Sequence, residues 1–315
     1  MEGINEKIKA VVFGHAVADA LGVPVEFCSR RQLSENPVTD MRGYGTYPYP
    51  AGTWSDDTSM ALATLDSLAN GKIDFNDIMS RFAKWYYENE YTPSGVTFDI
   101  GGICRFAIDN YAKRNLPADK CGVNSEYSNG NGSLMRIYPF VFAFLMGDNL
   151  PMGFEELIDA ASALTHSHER SRLGCRIYST VLHFLIEAPS KHSVKLALDS
   201  CLERYCGSEE LIHYKRTLSP KELCDLRERD IKSTGYVVDT LEAALWCLLT
   251  TDSYSECVLK AVNLGEDTDT VAAVAGSLAG ALYGYTAIPT DWLSALKRRE
   301  YIEDICNRFS RAWGN

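Results

Sequence analysis

Apolar residues return at the three- and four-residue spacing of a helix face through twelve stretches of this chain: 5–20, 57–69, 75–88, 99–113, 133–146, 154–163, 168–187, 193–204, 237–250, 254–263, 269–284 and 300–312. No comparable set of alternating apolar and polar runs exists, so a half-buried sheet face has no source. The pattern restricts the chain to a mainly α class, with many helices packed around one core.

The 315 residues leave room for one large core or two intimate halves. We read 1–315 as a single domain, with the polar segment 205–235 as a candidate surface excursion. Hydrophobic residues are 46% of the chain and charged ones 23%, a balance that excludes disorder. The formal net charge of −11 repels a polyanion, so no nucleic acid is expected as partner, although a local patch could still hold a small phosphorylated ligand. Ten cysteines without a CxxC pair, and an opening MEGINEKIKAVVFG without a long apolar region or cleavage site, suit a reducing, cytoplasmic setting. The longest small and apolar run, VAAVAGSLAGALYG (271–284), falls short of the roughly 20 residues that span a bilayer, so no membrane is expected. A monomer is the default expectation.

Two short stretches carry more oxygen than folding requires. In GTWSDDTSM (52–60), Ser55, Asp56 and Asp57 precede an apolar helix; in GEDTDT (265–270), Asp267, Asp269 and Thr270 precede another. A helix N-terminus accepts a capping Ser or Asp without any functional cause. Two carboxylates with hydroxyls at each start exceed what a cap needs, and such charge repels itself unless cations neutralise it. Carboxylate and hydroxyl oxygens suit Mg²⁺ or Mn²⁺, and no Cys/His set suggests zinc. If the two helix starts meet, they form a dinuclear site.

Other stretches are less specific by themselves. The helix in GHAVADALGVPVE (14–26) ends at Gly22 and Pro24, leaving Glu26 as a loop charge whose interest depends on proximity to the metals. The turn NGNGSLMR (129–136), with Asn131, Gly132 and Ser133, can aim backbone N–H groups at an anion, as can FDIGG (98–102) with Asp99, Gly101 and Gly102. Both are also ordinary turns before helices. His166 in THSH (165–168) suits a capping or surface role as well as a site, and Tyr236 suits packing as well as stacking on a ligand ring.

Taken in order, GHAVADALGVPVE, GTWSDDTSMALA, FDIGG, NGNGSLMR, THSHERSR, GYVVDTLEAALWCL and NLGEDTDTVAAVAGSLAGALYG resemble the ADP-ribosylglycohydrolase family over nearly the whole chain. The resemblance implies an orthogonal all-α bundle with two Mg²⁺ (or Mn²⁺) ions in a cleft, and hydrolysis of the bond between C1 of the distal ribose of ADP-ribose and a modified side chain. It implies Ser55, Asp56, Asp57, Asp267, Asp269 and Thr270 as metal ligands, with Glu26 or Asp99 as the catalytic carboxylate. It also implies Gly101, Gly102, Asn131, Gly132 and Ser133 against ribose and diphosphate, His166 at the distal ribose and Tyr236 near the adenosine. The partner would be an ADP-ribosylated protein or a small-molecule ADP-ribose conjugate. Two departures stand out: Ser55 where threonine is usual, and Glu266 where glycine or aspartate is commoner.

Arginine-linked ADP-ribose is the favoured substrate on this resemblance. The alternatives are a silent ADP-ribose-binding or structural relative, a hydrolase of serine-linked or small-molecule conjugates, and a phosphohydrolase acting on the diphosphate. Retention of both acidic motifs and NGSLMR weighs against the silent relative.

Overall fold

The computed structural model describes residues 2–148 and 150–314, which form sixteen α-helices and, among the described residues, no β-strand. All twelve stretches with helical spacing contain α-helices. Their ends are set by local chemistry. Asp74 accepts from Asp77 N at 3.1 Å and caps the helix Phe75–Glu88, whose buried face is Ile78, Met79, Phe82 and Trp85. A cap of this kind is worth about 1 kcal/mol, while the buried side chains contribute about 1.5–3 kcal/mol each. Packing, more than capping, holds the helix.

Two boundaries differ from the sequence reading. The stretch 99–113 becomes helical only at Gly102, because Asp99 takes a left-handed φ of 63° and Gly101 is the extended N-cap. The stretch 133–146 divides into a short 3-10 turn, Leu134–Arg136, and the helix Tyr138–Met146. Pro139 has no N–H and is tolerated only in a first helical turn, so the helix starts there. Four helices of four to six residues, among them Arg30–Glu35 and Thr290–Ala295, are too short to show a period.

The central pair is Glu2–Gly22 and Thr268–Tyr283, which make the most extensive contact between any two elements. They run antiparallel, Gly14 against Gly276 and Ala10 against Gly280. A Cβ on Gly14 would lie 2.5 Å from Gly276 O, and one on Gly280 2.0 Å from Ala10 O, so this crossing excludes any larger residue. At its other end, a Cβ on Gly22 would lie 2.3 Å from Asp269 Cα. The crossing therefore presses the end of the first helix against the second acidic motif.

Residues Gly3–Val25 are long and apolar enough to cross a bilayer, which corrects the expectation that 271–284 is the longest such run. Of its apolar 18-residue window 94% is buried inside the fold, where it serves as the central core helix. In segment 205–235, Tyr214 is buried and donates to Arg170 O at 2.7 Å, and Arg216 pairs with the buried Glu242. These contacts tie the segment to the helices beneath it.

Candidate functional site

The helix Asp56–Leu68 begins beside the end of the first helix, and Asp19 fixes it there. Both Asp19 oxygens accept from Ser55 N, at 3.0 and 3.1 Å, and Oδ2 also accepts from Thr58 N at 3.1 Å and Thr58 Oγ1 at 2.6 Å. Asp19 thus satisfies the free N–H groups of a helix start from another helix. Ser55 Oγ accepts from Asp57 N and donates to Asp57 Oδ2 at 3.1 Å.

The two acidic motifs meet. Thr270 Oγ1 donates to Asp57 Oδ2 at 3.2 Å, and Thr270 N donates to Asp269 Oδ1 at 2.9 Å. One oxygen from each of Asp19, Asp57 and Asp269 lie within 4.8 Å of one another, as do one from each of Glu26, Asp267 and Asp269. Asp57 Oδ1 and Asp269 Oδ2 are buried without a hydrogen-bond partner. An orphaned buried carboxylate oxygen costs several kcal/mol unless something compensates it.

Electrostatics agree. Burial raises the Asp56, Asp57 and Asp269 carboxyls well above their usual range, and neighbouring carboxylates raise them further. Burial likewise pushes Asp19 up to about 7. The oxygen-only donor set, the orphaned oxygens and the crowding of like charge all fit divalent cations. Asp19 is the exception within this group, because its oxygens are already occupied by three donors. Its role is to hold the ligand turn, a role that sequence reasoning missed. The available signal was an aspartate in the stretch 10–21, where His15 is the one other polar side chain.

Beside this floor lies a cleft of about 360 Å³, lined by Glu26, Asp56, Asp99, Asp267 and Thr270 on one side. Gly101, Gly102, Asn131, Gly132 and His166 line the other. Glu26 and Asp99 are joined by Tyr47, whose Oη lies 2.8 Å from Glu26 Oε2 and 2.7 Å from Asp99 Oδ1. A phenol has one hydrogen, so it satisfies both contacts only when one carboxyl is protonated and itself donates. Burial, with the charge of Asp99 adding to it, pushes Glu26 up to about 9, and burial also raises Asp99. Tyr47 was not singled out in the sequence; its YPYP loop carries no charge pattern, and only the fold brings it there.

Opposite, a Cβ on Gly101 or Gly102 would meet nothing, so the start of the helix Gly102–Ala112 is open to the cleft. Asn131 Nδ2 donates to Asp267 Oδ2 at 2.8 Å and to Thr240 Oγ1 at 2.9 Å, tying the glycine turn to the acidic floor. Ser133 turns its fully buried hydroxyl inward, where it accepts from Ser162 Oγ at 3.0 Å and lies 3.5 Å from Cys175 Sγ, which leaves only its backbone for a ligand. His166 is buried beneath the turn, and burial together with the Arg136 charge lowers it to about 3. Tyr236 is the N-cap of Val237–Leu249 and bridges to Gly130 through the backbone at the edge of the same wall. Glu266 is exposed, with φ of 62°, so its unusual charge points away from the centre.

Comparison with known proteins gives the same assignment. A family model described as ADP-ribosylglycohydrolase matches residues 1–315. The chain is 33% identical over 310 residues to "ADP-ribosylarginine hydrolase Tri1" of Serratia proteamaculans, covering 96% of this chain and 78% of that one. It is 32% identical over 298 residues to "ADP-ribosyl-[dinitrogen reductase] glycohydrolase" of Rhodospirillum rubrum, covering 93% and 91%. A solved structure titled "ADP-ribosylglycohydrolase-related protein complex" superposes with a TM-score of 0.82 at 31% identity, covering 99% of each chain.

Proposed function

Because this chain belongs to the ADP-ribosylglycohydrolase family, we propose that it hydrolyses the glycosidic bond between ADP-ribose and an arginine side chain. The observation that carries the reading is the pair of orphaned oxygens, Asp57 Oδ1 and Asp269 Oδ2, buried next to Asp56 and Thr270 in the lining of a cleft that a glycine turn also lines. Arginine is preferred over other acceptors because the Serratia relative is named for ADP-ribosylarginine.

Two Mg²⁺ or Mn²⁺ ions, held by Asp56, Asp57, Asp267, Asp269, Thr270 and Ser55, would neutralise the carboxylates and supply Lewis-acid binding of ribose hydroxyls and water. Asp19 keeps Ser55 and Thr58 in register so that this ligand turn is preorganised. Glu26 and Asp99, linked through Tyr47, hold a proton at the cleft wall. One of them can give it to the leaving nitrogen while the other accepts from water. The open N-terminus at Gly101 and Gly102 and the Asn131–Gly132 turn face the diphosphate and ribose, with Tyr236 toward the base. Fixing the sugar in this way supplies much of the rate by orientation.

Mass spectrometry of products from matched arginine- and serine-linked ADP-ribosyl peptides tests the reading. Metal-dependent release of intact ADP-ribose from the arginine peptide is expected. Release from the serine peptide alone would overturn the acceptor, and AMP as product would overturn the bond.

A further inference from the structure

We propose that Arg136 and Thr165 act as positioning residues that fix His166 as its Nε2–H tautomer, so that the cleft wall presents one hydrogen-bond donor to an oxygen of the ligand. Arg136 is fully buried, 4.9 Å over the Phe82 ring, and donates to Ala161 O at 3.2 Å and to Thr165 Oγ1 at 2.8 Å. A guanidinium can only donate, so Thr165 Oγ1 must accept from it. That same hydroxyl lies 2.8 Å from His166 Nδ1.

If Nδ1 carried the proton, Thr165 would accept twice, and its own hydrogen would be left to the Cys104 sulfur, a weak acceptor. An imidazole nitrogen is a far stronger acceptor than a thiol sulfur, so Thr165 accepts from Arg136 and donates to Nδ1. The ring is neutral, because burial and the nearby guanidinium oppose a second charge. A neutral imidazole has one N–H, and it falls to Nε2.

Nε2 has no protein partner among the described residues and sits at the glycine turn. A Cβ on Gly130 would lie 3.5 Å from it, and one on Gly132 3.1 Å from Cε1. The side chains absent from those two positions leave the donor open to the cleft. Its acceptor is a phosphate or ribose oxygen; that identity rests on the proposed function, whereas the tautomer does not.

Long-range ¹⁵N–¹H correlation spectra of protein labelled in its six histidines, with the His166 signals assigned by their loss in His166→Gln, read the tautomer without any ligand. The wild type and Thr165→Ser should show protonated Nε2, and Thr165→Val a mixture of tautomers. Calorimetric titration with ADP-ribose should then show affinity weakened roughly two- to tenfold in Thr165→Val, the worth of one ordinary hydrogen bond, and restored in Thr165→Ser. Mn²⁺ affinity should be unchanged in both. Protonated Nδ1 in the wild type would overturn the relay, as would a Thr165→Val protein with unaltered tautomer. Protonated Nε2 in a protein that binds no ADP-ribose would leave the relay standing and count against the proposed function alone.

Discussion

The two walls of the cleft solve opposite problems. The acidic floor gathers Glu26, Asp56, Asp57, Asp99, Asp267 and Asp269 with raised proton affinities and two buried oxygens left unsatisfied. The glycine wall is built of backbone turns, Asn131 and His166. There Asn131 already bonds to Thr240 and Asp267, and His166 to Thr165. The floor is incomplete as protein alone, and the wall is nearly complete. Removing groups from the floor should therefore abolish chemistry, while changes to the wall should tune binding.

The largest effect belongs to the floor. Asp57→Ala or Asp269→Ala should lower turnover by about a thousandfold or more, since each deletes a charge-stabilising contribution of several kcal/mol. Steady-state hydrolysis of an ADP-ribosylarginine peptide measures it. Gly22→Ala joins floor to scaffold: its Cβ would meet Asp269 Cα at 2.3 Å. It should destabilise the fold by about 1–3 kcal/mol, as overpacking does, and weaken Mn²⁺ binding as well. Denaturant titration and calorimetry separate the two, and a stability loss with unchanged Mn²⁺ affinity would uncouple the helix crossing from the site.

Between these extremes lies the response of the floor to protons and cations. Groups whose carboxyls are raised by folding stabilise the protein when protonated. That stabilisation is full below their unfolded values and is lost as pH rises through the folded ones. With Asp19 near 7 and Glu26 near 9, the metal-free protein should lose thermal stability from about pH 5 to about pH 9. Mg²⁺ or Mn²⁺ binds the ionised form, so a hundredfold excess over its dissociation constant should return about 2.7 kcal/mol at neutral pH. Scanning calorimetry in chelator and in metal checks both signs. A metal-free midpoint that rises across this range would mean that the carboxylates are compensated by the protein itself.

Tyr47→Phe should be milder, lowering kcat roughly ten- to a hundredfold, because it removes the phenol joining Glu26 and Asp99 and leaves both carboxyls in place. An unchanged pH–rate profile in this variant would break the link between the two carboxyls. Smallest of all is the wall: Gly132→Ala, whose Cβ would lie 2.6 Å from Cys104 Sγ and 3.1 Å from His166 Cε1, should raise KM more than it lowers kcat.

Much of this was legible in sequence because it is local. Helix faces, the acidic helix starts and the glycine turn each sit within a few consecutive residues. What escaped was long-range. Asp19 acts on a helix start 36 residues downstream, and Tyr47 acts on two carboxyls brought together only by the fold. The direction of the Ser133 hydroxyl, which turns to Ser162, was not legible either, because a motif gives only the order of its residues. Glu266, which departs from the family pattern, is exposed to solvent, a placement its position in the motif does not give.

The most direct test of the account is anomalous diffraction from crystals grown with Mn²⁺. Anomalous density is expected between Asp57 and Asp269, with a second site toward Asp267 and Glu26. Fully active crystals whose anomalous map is empty between the two helix starts would contradict it.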